Sequence, residues 1–254
     1  LLLRPPGALD EDTFLASCIK CGQCLQVCPP QVIELGSIIE GFAVGTPFIT
    51  PRKGGCILCP GLPCVLACPT GSLNHILSEG KDSEMGLAVV SKPKTCLSIK
   101  GVNDIIYELQ QIRSDWSKVT HDKRLSDLMI SSMKRLNTEE RETIKSKFSL
   151  VDTESETIDG LILRLKNADY EWFVEFIAGT EFAKIGCRIC LDECPIKKEG
   201  TITFEKKKDL TTGNTAVWPV VQKTCVGCGV CEEKCPTPKA SITITPRLKW
   251  TEEA

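Results

Sequence analysis

The sequence predicts an α+β fold: two small cysteine-rich modules of short strands and one-turn helices, interrupted by an all-helical insertion. Three observations carry this. Sixteen cysteines in 254 residues fall into four sets of four. Short β-branched runs bounded by Gly and Pro lie between the sets. One stretch, residues 102–186, has no cysteine and repeats its apolar residues at helical spacing.

The totals narrow the class. Apolar residues make up 42 % of the chain, enough for a core, and the formal net charge is −2. There is no basic excess to attract nucleic acid. No apolar run approaches the roughly 18 residues that a membrane-spanning helix needs. The chain opens Leu1-Leu2-Leu3-Arg4-Pro5-Pro6 without an initiator Met or a visible signal peptide. This reads as a processed or truncated start, which leaves room for a removed export signal.

The cysteine spacing carries the chemistry. The first set is Cys18-x2-Cys21-x2-Cys24-x3-Cys28-Pro29, and the second is Cys56-x2-Cys59-x4-Cys64-x3-Cys68-Pro69. The third is split: Cys96 stands alone, and Cys187-x2-Cys190-x3-Cys194-Pro195 follows much later. The fourth is Cys225-x2-Cys228-x2-Cys231-x3-Cys235-Pro236. The run C-x2-C-x2-C-x3-C-P is the bacterial ferredoxin signature for [4Fe–4S] clusters. Three thiolates on a tight loop grip one cube, and the x3 gap is one helical turn that carries the fourth thiolate to the neighbouring cluster of a pair. The Pro, with no N–H and a fixed φ, ends that turn. Structural zinc shows two separated Cys pairs without the terminal C-x3-C-P. A disulfide framework does not account for a division of sixteen into four by four. The fold class is therefore two bacterial-ferredoxin-like modules, each with two [4Fe–4S] clusters, plus the helical insertion.

Strands are predicted at Val32–Leu35, Pro47–Thr50, Ala88–Val90, Thr201–Phe204, Ala216–Val221 and Ser241–Thr245. The domains follow as 1–101 (motifs 1 and 2 and the first Cys of motif 3), 102–186 (the insertion) and 187–254 (the rest of motif 3 and motif 4). In the insertion the apolar series runs Ile105, Ile106, Leu109, Ile112, Trp116, Val119, then Leu125, Leu128, Met129, Met133, Leu136. Asn137-Thr138-Glu139-Glu140 offers an N-cap with Glu three residues on. Further helices are expected through Ile144–Phe148, Ile158–Leu165 and Phe173–Ile177, making four or five in a small bundle with Cys96 and Cys187 meeting at its base.

Several stretches outside the cysteine sets resemble the ferredoxin-type proteins of the periplasmic nitrate reductase and methylamine utilisation systems, the NapG/MauM type. They are Arg4-Pro5-Pro6-Gly7-Ala8, Cys21-Gly22-Gln23-Cys24, Gly45-Thr46-Pro47-Phe48, Cys64-x3-Cys68-Pro69-Thr70-Gly71-Ser72-Leu73, Met85-Gly86-Leu87-Ala88-Val89 and Thr212-Gly213-Asn214. The resemblance covers about residues 1–101 and 187–254. It implies four [4Fe–4S] clusters and export as a folded protein by the twin-arginine route to the periplasmic side of the inner membrane. It also implies a membrane-integral quinol-oxidising iron–sulfur partner, through which the chain is peripherally membrane-associated. A periplasmic cytochrome or reductase would be the acceptor. The insertion departs from the family pattern, in which the lone Cys is joined to the next by a few residues. Similar four-cluster subunits of molybdoenzymes imply a nested pairing of motifs. One cluster takes Cys18, Cys21, Cys24 and Cys235, and its neighbour takes Cys225, Cys228, Cys231 and Cys28. The inner pair takes Cys56, Cys59, Cys64 with Cys194, and Cys96, Cys187, Cys190 with Cys68. Spacing alone would also permit sequential pairing.

With every iron position filled by Cys, one-electron transfer is expected rather than catalysis, and no catalytic residue is assigned. The alternatives are a cytoplasmic polyferredoxin subunit of a hydrogenase-like or other oxidoreductase complex, and an iron–sulfur maturation factor. An oxidised cube with its four thiolates carries roughly −2, so four add about −8 to the chain. Lys20, Arg52, Lys53, Lys94, Arg188, Lys223 and Lys234 lie near the motifs and read mostly as solvated charges. His75 and His121 read as surface or capping residues, and Trp116, Trp172, Trp218 and Trp250 as packing residues. Asp152–Gly160 lacks EF-hand spacing and reads as a polar linker.

Overall fold

The computed structural model describes residues 2–114, 128–129, 132–149, 167–208 and 215–247. The chain divides into two compact units, Leu1–Cys96 with Ile189–Ala254, and Leu97–Arg188. The first unit opens with helix α1 (Glu11–Ser17), started by Asp10, whose carboxylate accepts the Thr13 N–H at 3.1 Å. One-turn helix α2 (Gln23–Gln26) follows inside the first cysteine set. Strand β1 (Ile33–Leu35) then pairs antiparallel with β2 (Pro47–Ile49) in the register Ile33↔Ile49 and Leu35↔Pro47. Helix α3 (Pro63–Leu66) lies inside the second set, with Pro63 at a first-turn position where its missing N–H costs nothing. Strand β3 (Gly86–Val89) ends this pass.

The second unit supplies α4 (Leu97–Lys100), α5 (Asp104–Ser114), helical residues at 128–129 and 132–135, α6 (Thr138–Phe148) and α7 (Asn167–Gly179). Back in the first unit, α8 (Ile189–Asp192) precedes the antiparallel pair β4 (Ile202–Lys208) and β5 (Thr215–Val221). Helix α9 (Val230–Glu233) and strand β6 (Thr243–Pro246) complete it. All six predicted strands are present among these, and β6 pairs antiparallel with β3.

The first unit thus repeats one plan twice: ligand loop, antiparallel strand pair, ligand loop. Its apolar interior includes the cysteines themselves. One group surrounds Phe14, Ile49, Leu62, Val65 and Leu73; another surrounds Ala88, Ile202, Ala240 and Ile242. The passes are bound together by more than the β3–β6 pair. Cys56 N–H donates to Cys228 O at 2.7 Å. The Arg52 guanidinium donates to the carbonyls of Glu232 and Cys235 at 2.8 Å and of Thr237 at 2.7 Å. Glu232 O is one of the orphan carbonyls at the end of α9, where a cation is favoured, and the other two lie in the turn just beyond it. At the chain start the buried Arg4 donates from Nε to Glu11 at 2.9 Å, and from Nη1 to Thr46 Oγ1 at 2.9 Å and Pro47 O at 2.8 Å. Its guanidinium also lies 4.8 Å from the Phe14 ring centroid.

The second unit packs Ile105, Leu109, Met129, Ile144, Phe173 and Ile177 into an apolar group, matching the helical spacing of the sequence. Asn103 caps α5, its Oδ1 accepting the Ile105 N–H at 3.0 Å while Nδ2 donates to Ile185 O at 3.0 Å. The anticipated cap of α6 is a reciprocal pair: Glu140 N–H to Asn137 Oδ1, and Asn137 N–H to Glu140 Oε2, both 2.9 Å. Tyr170 is buried and its hydroxyl donates to Leu109 O at 2.6 Å. Trp172 lies between Phe148 and Phe176, at centroid distances of 5.5 and 5.1 Å, as a packing residue. The helix expected at Ile158–Leu165, the linker Asp152–Gly160, and Trp116, Val119, His121, Leu125, Thr212-Gly213-Asn214 and Trp250 lie outside the described residues. Among the described residues, no helix is long and apolar enough to cross a membrane.

Candidate metal centres

Each ligand loop turns sharply before its one-turn helix. Gly22 and Gly229 precede α2 and α9 with φ of 73° and 92°, the left-handed region in which a side chain is strained. The turn lets successive thiols converge rather than alternate. The fourth cysteine then sits at the end of the turn: the N–H of Cys28 reaches Leu25 O at 3.3 Å, that of Cys68 reaches Val65 O at 3.1 Å, and that of Cys194 reaches Leu191 O at 3.1 Å. The x3 gap is one helical turn, as the spacing requires. None of the sixteen cysteines is in a disulfide.

The thiols gather in quartets. One pocket is lined by Cys18, Cys21, Cys24 and Cys68, with Phe14 and Leu73 among its walls. A second is lined by Cys28, Cys56, Cys59 and Cys64, with Ile33 and Leu62. In the second pass Cys194 lies by Cys225, Cys228 and Cys231, and Cys190 lies by Cys96 and Cys235. Cys187 falls in the second unit, where it is buried and its N–H donates to Val102 O at 3.0 Å. These groupings favour the sequential pairing over the nested one: Cys68 lies with Cys18, Cys21 and Cys24 where nesting has Cys235, Cys28 with Cys56, Cys59 and Cys64 where nesting has Cys194, and Cys194 with Cys225, Cys228 and Cys231 where nesting has Cys28. The reason is the strand pair between consecutive motifs. β1–β2 returns the chain so that motif 2 lies beside motif 1, and β4–β5 does the same for motifs 3 and 4. Each pair then exchanges its fourth cysteine locally.

The donor chemistry fits a [4Fe–4S] cube. Four sulfurs, three from one loop and one from a neighbouring turn, face a space walled by apolar side chains. Burial pushes the thiol pKa of Cys24 up to about 11 and those of Cys64, Cys190 and Cys228 up to about 12, and neighbouring thiols add to the rise. Cys56 and Cys231 are raised by the same causes. Four such groups ionise together only against a cationic centre. Cys68 is the exception. Burial raises it, but the Leu73 N–H and the Thr70 donors outweigh that and lower it.

The quartets also form a series. Cys24 lies near Cys64, linking the first pocket to the second. Cys56 lies near Cys228, linking the second to the Cys225 set, and Cys231 lies near Cys190, linking that to the set of Cys96 and Cys235. Sequence reasoning missed the residues around the sulfurs. Thr70, Thr201 and Thr237 place hydroxyls beside Cys68, Cys194 and Cys235. The repeated Cys-Pro-Thr of Cys68–Thr70 and Cys235–Thr237 was the available signal for two of them. Arg52, read as a solvated charge, instead ties the passes together. His75 is exposed with Nε2 2.8 Å from Cys68 O, a capping contact.

The 4Fe-4S dicluster domain family matches over residues 17–99 and 185–239. The chain is 44 % identical over 114 residues to the methylamine utilization ferredoxin-type protein MauM of Paracoccus denitrificans (strain Pd 1222), covering 44 % of this chain and 51 % of that protein. It is 39 % identical over 106 residues to the ferredoxin-type protein NapG of Escherichia coli (strain K12), covering 41 % of this chain and 46 % of that protein. The chain spans about half the length of the curated relatives it matches. No solved structure matches it. With the cysteine sets falling inside the two matched segments, which together exceed half of its length, the chain belongs to the 4Fe-4S dicluster domain family.

Proposed function

We propose that this chain is an electron-transfer protein carrying four [4Fe–4S] clusters and catalysing no reaction of its own. The observation that carries the reading is the pair of pockets that each combine three cysteines of one motif with the fourth of its neighbour. The ligand sets are Cys18, Cys21, Cys24, Cys68; Cys56, Cys59, Cys64, Cys28; Cys225, Cys228, Cys231, Cys194; and Cys96, Cys187, Cys190, Cys235. Cys187 is assigned from its C-x2-C spacing to Cys190 alone. When bound, a [4Fe–4S] cluster supplies reversible one-electron transfer. The protein's own residues fix the order of the sites, bury nine of the sixteen thiols while leaving that of Cys21 exposed, and donate hydrogen bonds to sulfur. Filling every coordination position with thiolate leaves no opening for substrate, which favours relay over catalysis.

Residues 102–186 form an inserted all-helical domain in this reading, between iron–sulfur segments 1–101 and 187–254. The relatives' names, a methylamine utilization ferredoxin-type protein and the ferredoxin-type protein NapG, support an electron-carrying role, which this reading places in a respiratory chain. The electron source is a membrane-integral quinol-oxidising iron–sulfur protein, and the acceptor is a periplasmic cytochrome or reductase. The chain works at the periplasmic side of the inner membrane after twin-arginine export.

Anaerobic purification followed by metal analysis tests the reading, with about sixteen irons and sixteen sulfides per chain expected. Zinc in their place, or far less iron in an intact folded chain, refutes it. Cys68→Ser should perturb the electron paramagnetic resonance signal that Cys21→Ser perturbs. Loss of a different signal overturns the ligand sets. Quinol-oxidising membrane subunits recovered with the chain from its native membrane support the partner, and their absence there counts against it.

A further inference from the structure

The fourth cysteine of each motif is where the sites differ. Cys68 Sγ lies 3.7 Å from Thr70 Oγ1 and accepts the Leu73 N–H at 3.4 Å. Cys235 Sγ lies 3.2 Å from Thr237 Oγ1 and accepts the Ser241 N–H at 3.3 Å. Cys194 Sγ lies 3.2 Å from Thr201 Oγ1, and both Thr201 and Thr237 are buried. Thr237 Oγ1 also faces Lys239 O at 2.9 Å, but a charged thiolate is the stronger acceptor for its single proton. Cys28 has no such partner. Among the described residues no hydroxyl or backbone N–H donates to its sulfur. Pro30 stands where two of the other three Cys-Pro runs have Thr70 and Thr237 and the third has Ile196. Pro6, Pro29, Pro30 and Pro63 all line the Cys28 pocket, and none has a backbone donor to offer.

Reduction adds one negative charge to a site. Donors aimed at sulfur stabilise that charge. Cys56 and Cys64 keep backbone donors from Leu58 and Val65, as Cys24, Cys190 and Cys228 do from Leu25, Leu191 and Val230, so the missing donor at the fourth sulfur is what sets this site apart. We propose that the site of Cys28, Cys56, Cys59 and Cys64 has the lowest reduction potential of the four. Thr70, Thr201 and Thr237 are the positioning residues that lift the other three. This rests on the sixteen cysteines being ligands of four clusters. Each step adds one electron and moves no proton: the thiolates stay bound and the threonine proton stays on oxygen. Because this site stands second in the series from the exposed Cys21, an electron crossing the chain climbs at that position whichever end it enters.

The test is an anaerobic dithionite titration of the cluster-loaded chain, followed by electron paramagnetic resonance. Thr70→Val, Thr201→Val and Thr237→Val should each shift a different step down, and none should move the lowest. Pro30→Thr should shift the lowest step up. Each shift is expected to change the reduced-to-oxidised ratio at fixed potential on the order of tenfold, about 59 mV for a one-electron couple. The matching Thr→Ser variants keep the hydroxyl and should leave the steps in place, which a purely structural role of the methyl would not predict. A Thr→Val change that lowers the lowest step, or an iron-replete Pro30→Thr chain whose lowest step stays put, overturns the proposal. Should Pro30→Thr lose its clusters, the three Thr→Val titrations still decide it. Iron far below sixteen in the unaltered chain would instead defeat the ligand reading itself.

Discussion

Gly227→Ala probes how closely the two passes of the first unit are joined. A Cβ at this position would meet the Gly86 carbonyl carbon at 2.3 Å and its Cα and O at 2.5 Å. All three are backbone atoms, so no side-chain rotation relieves the overlap. Gly227 also has φ of 71°, where a non-glycine residue costs about 1–2 kcal/mol. Separating the backbones disturbs β3 in its pairing with β6, and overpacking of this kind costs about 1–3 kcal/mol more. The combined loss, roughly 2–5 kcal/mol, is a large share of the 5–15 kcal/mol that typically holds a domain together. Gly200→Ala is the control. Gly200 has φ of 67° and nothing within 4 Å of the place an added methyl would take, so only the backbone cost of about 1–2 kcal/mol applies. Anaerobic guanidinium unfolding of the loaded protein, read by circular dichroism, compares the two. Gly227→Ala should lower the midpoint clearly more than Gly200→Ala, and equal midpoints would refute the close approach.

Three further outcomes follow from the contacts described. Arg52→Met removes the donors to Glu232, Cys235 and Thr237 carbonyls and should destabilise by about 1.5–3 kcal/mol in the same assay, with Arg52→Lys recovering only part because an ammonium cannot reproduce the fork. Asn137→Ala breaks the reciprocal cap of α6 and should cost about 1 kcal/mol, read as a lowered thermal midpoint. The metal-free chain should weaken with alkali. Burial raises the folded-state thiol pKa of Cys24 to about 11 and of Cys64 to about 12, so the unfolded thiols, ionising near 8.5, lose protons first. Any residual structure in its first unit is therefore fully present below about pH 8.5 and lost as pH rises toward about 12, and circular dichroism of cluster-free protein across that range measures it.

Much of this was legible beforehand because cysteine spacing and β-branched runs are local signals. The turn that places Cys28, Cys68 and Cys194 follows from an x3 gap, and β1, β2, β4 and β5 follow from Val, Ile and Thr between Gly and Pro. The pairing of motifs was not legible. Which thiols meet depends on how a strand pair folds the chain back, a non-local fact, and the analogy to nested subunits favoured the other of the two pairings that the spacing permits. Arg52 was misread because its partners are backbone carbonyls of residues 232–237, which carry no sequence signature. Arg4 was noticed only as part of a resemblance; its burial against Glu11 and Phe14 requires the folded chain. The hydroxyls of Thr70 and Thr237 were within reach as a repeated Cys-Pro-Thr, but Thr201, seven residues beyond Cys194, was not.

The local exchange of fourth cysteines has a bearing on biosynthesis. On the proposed ligand sets no motif closes a cube by itself, but the eight thiols of the first pass are all present once Cys68 has been made. A growing chain can therefore finish its first two centres early. The other two must wait for Cys225 through Cys235, close to the end of translation. A chain cut just before Thr224 would lose both late centres together, since Cys194 would have no loop to join and the Cys96 set would be one sulfur short. Premature termination should yield a half-loaded protein with two clusters, not three.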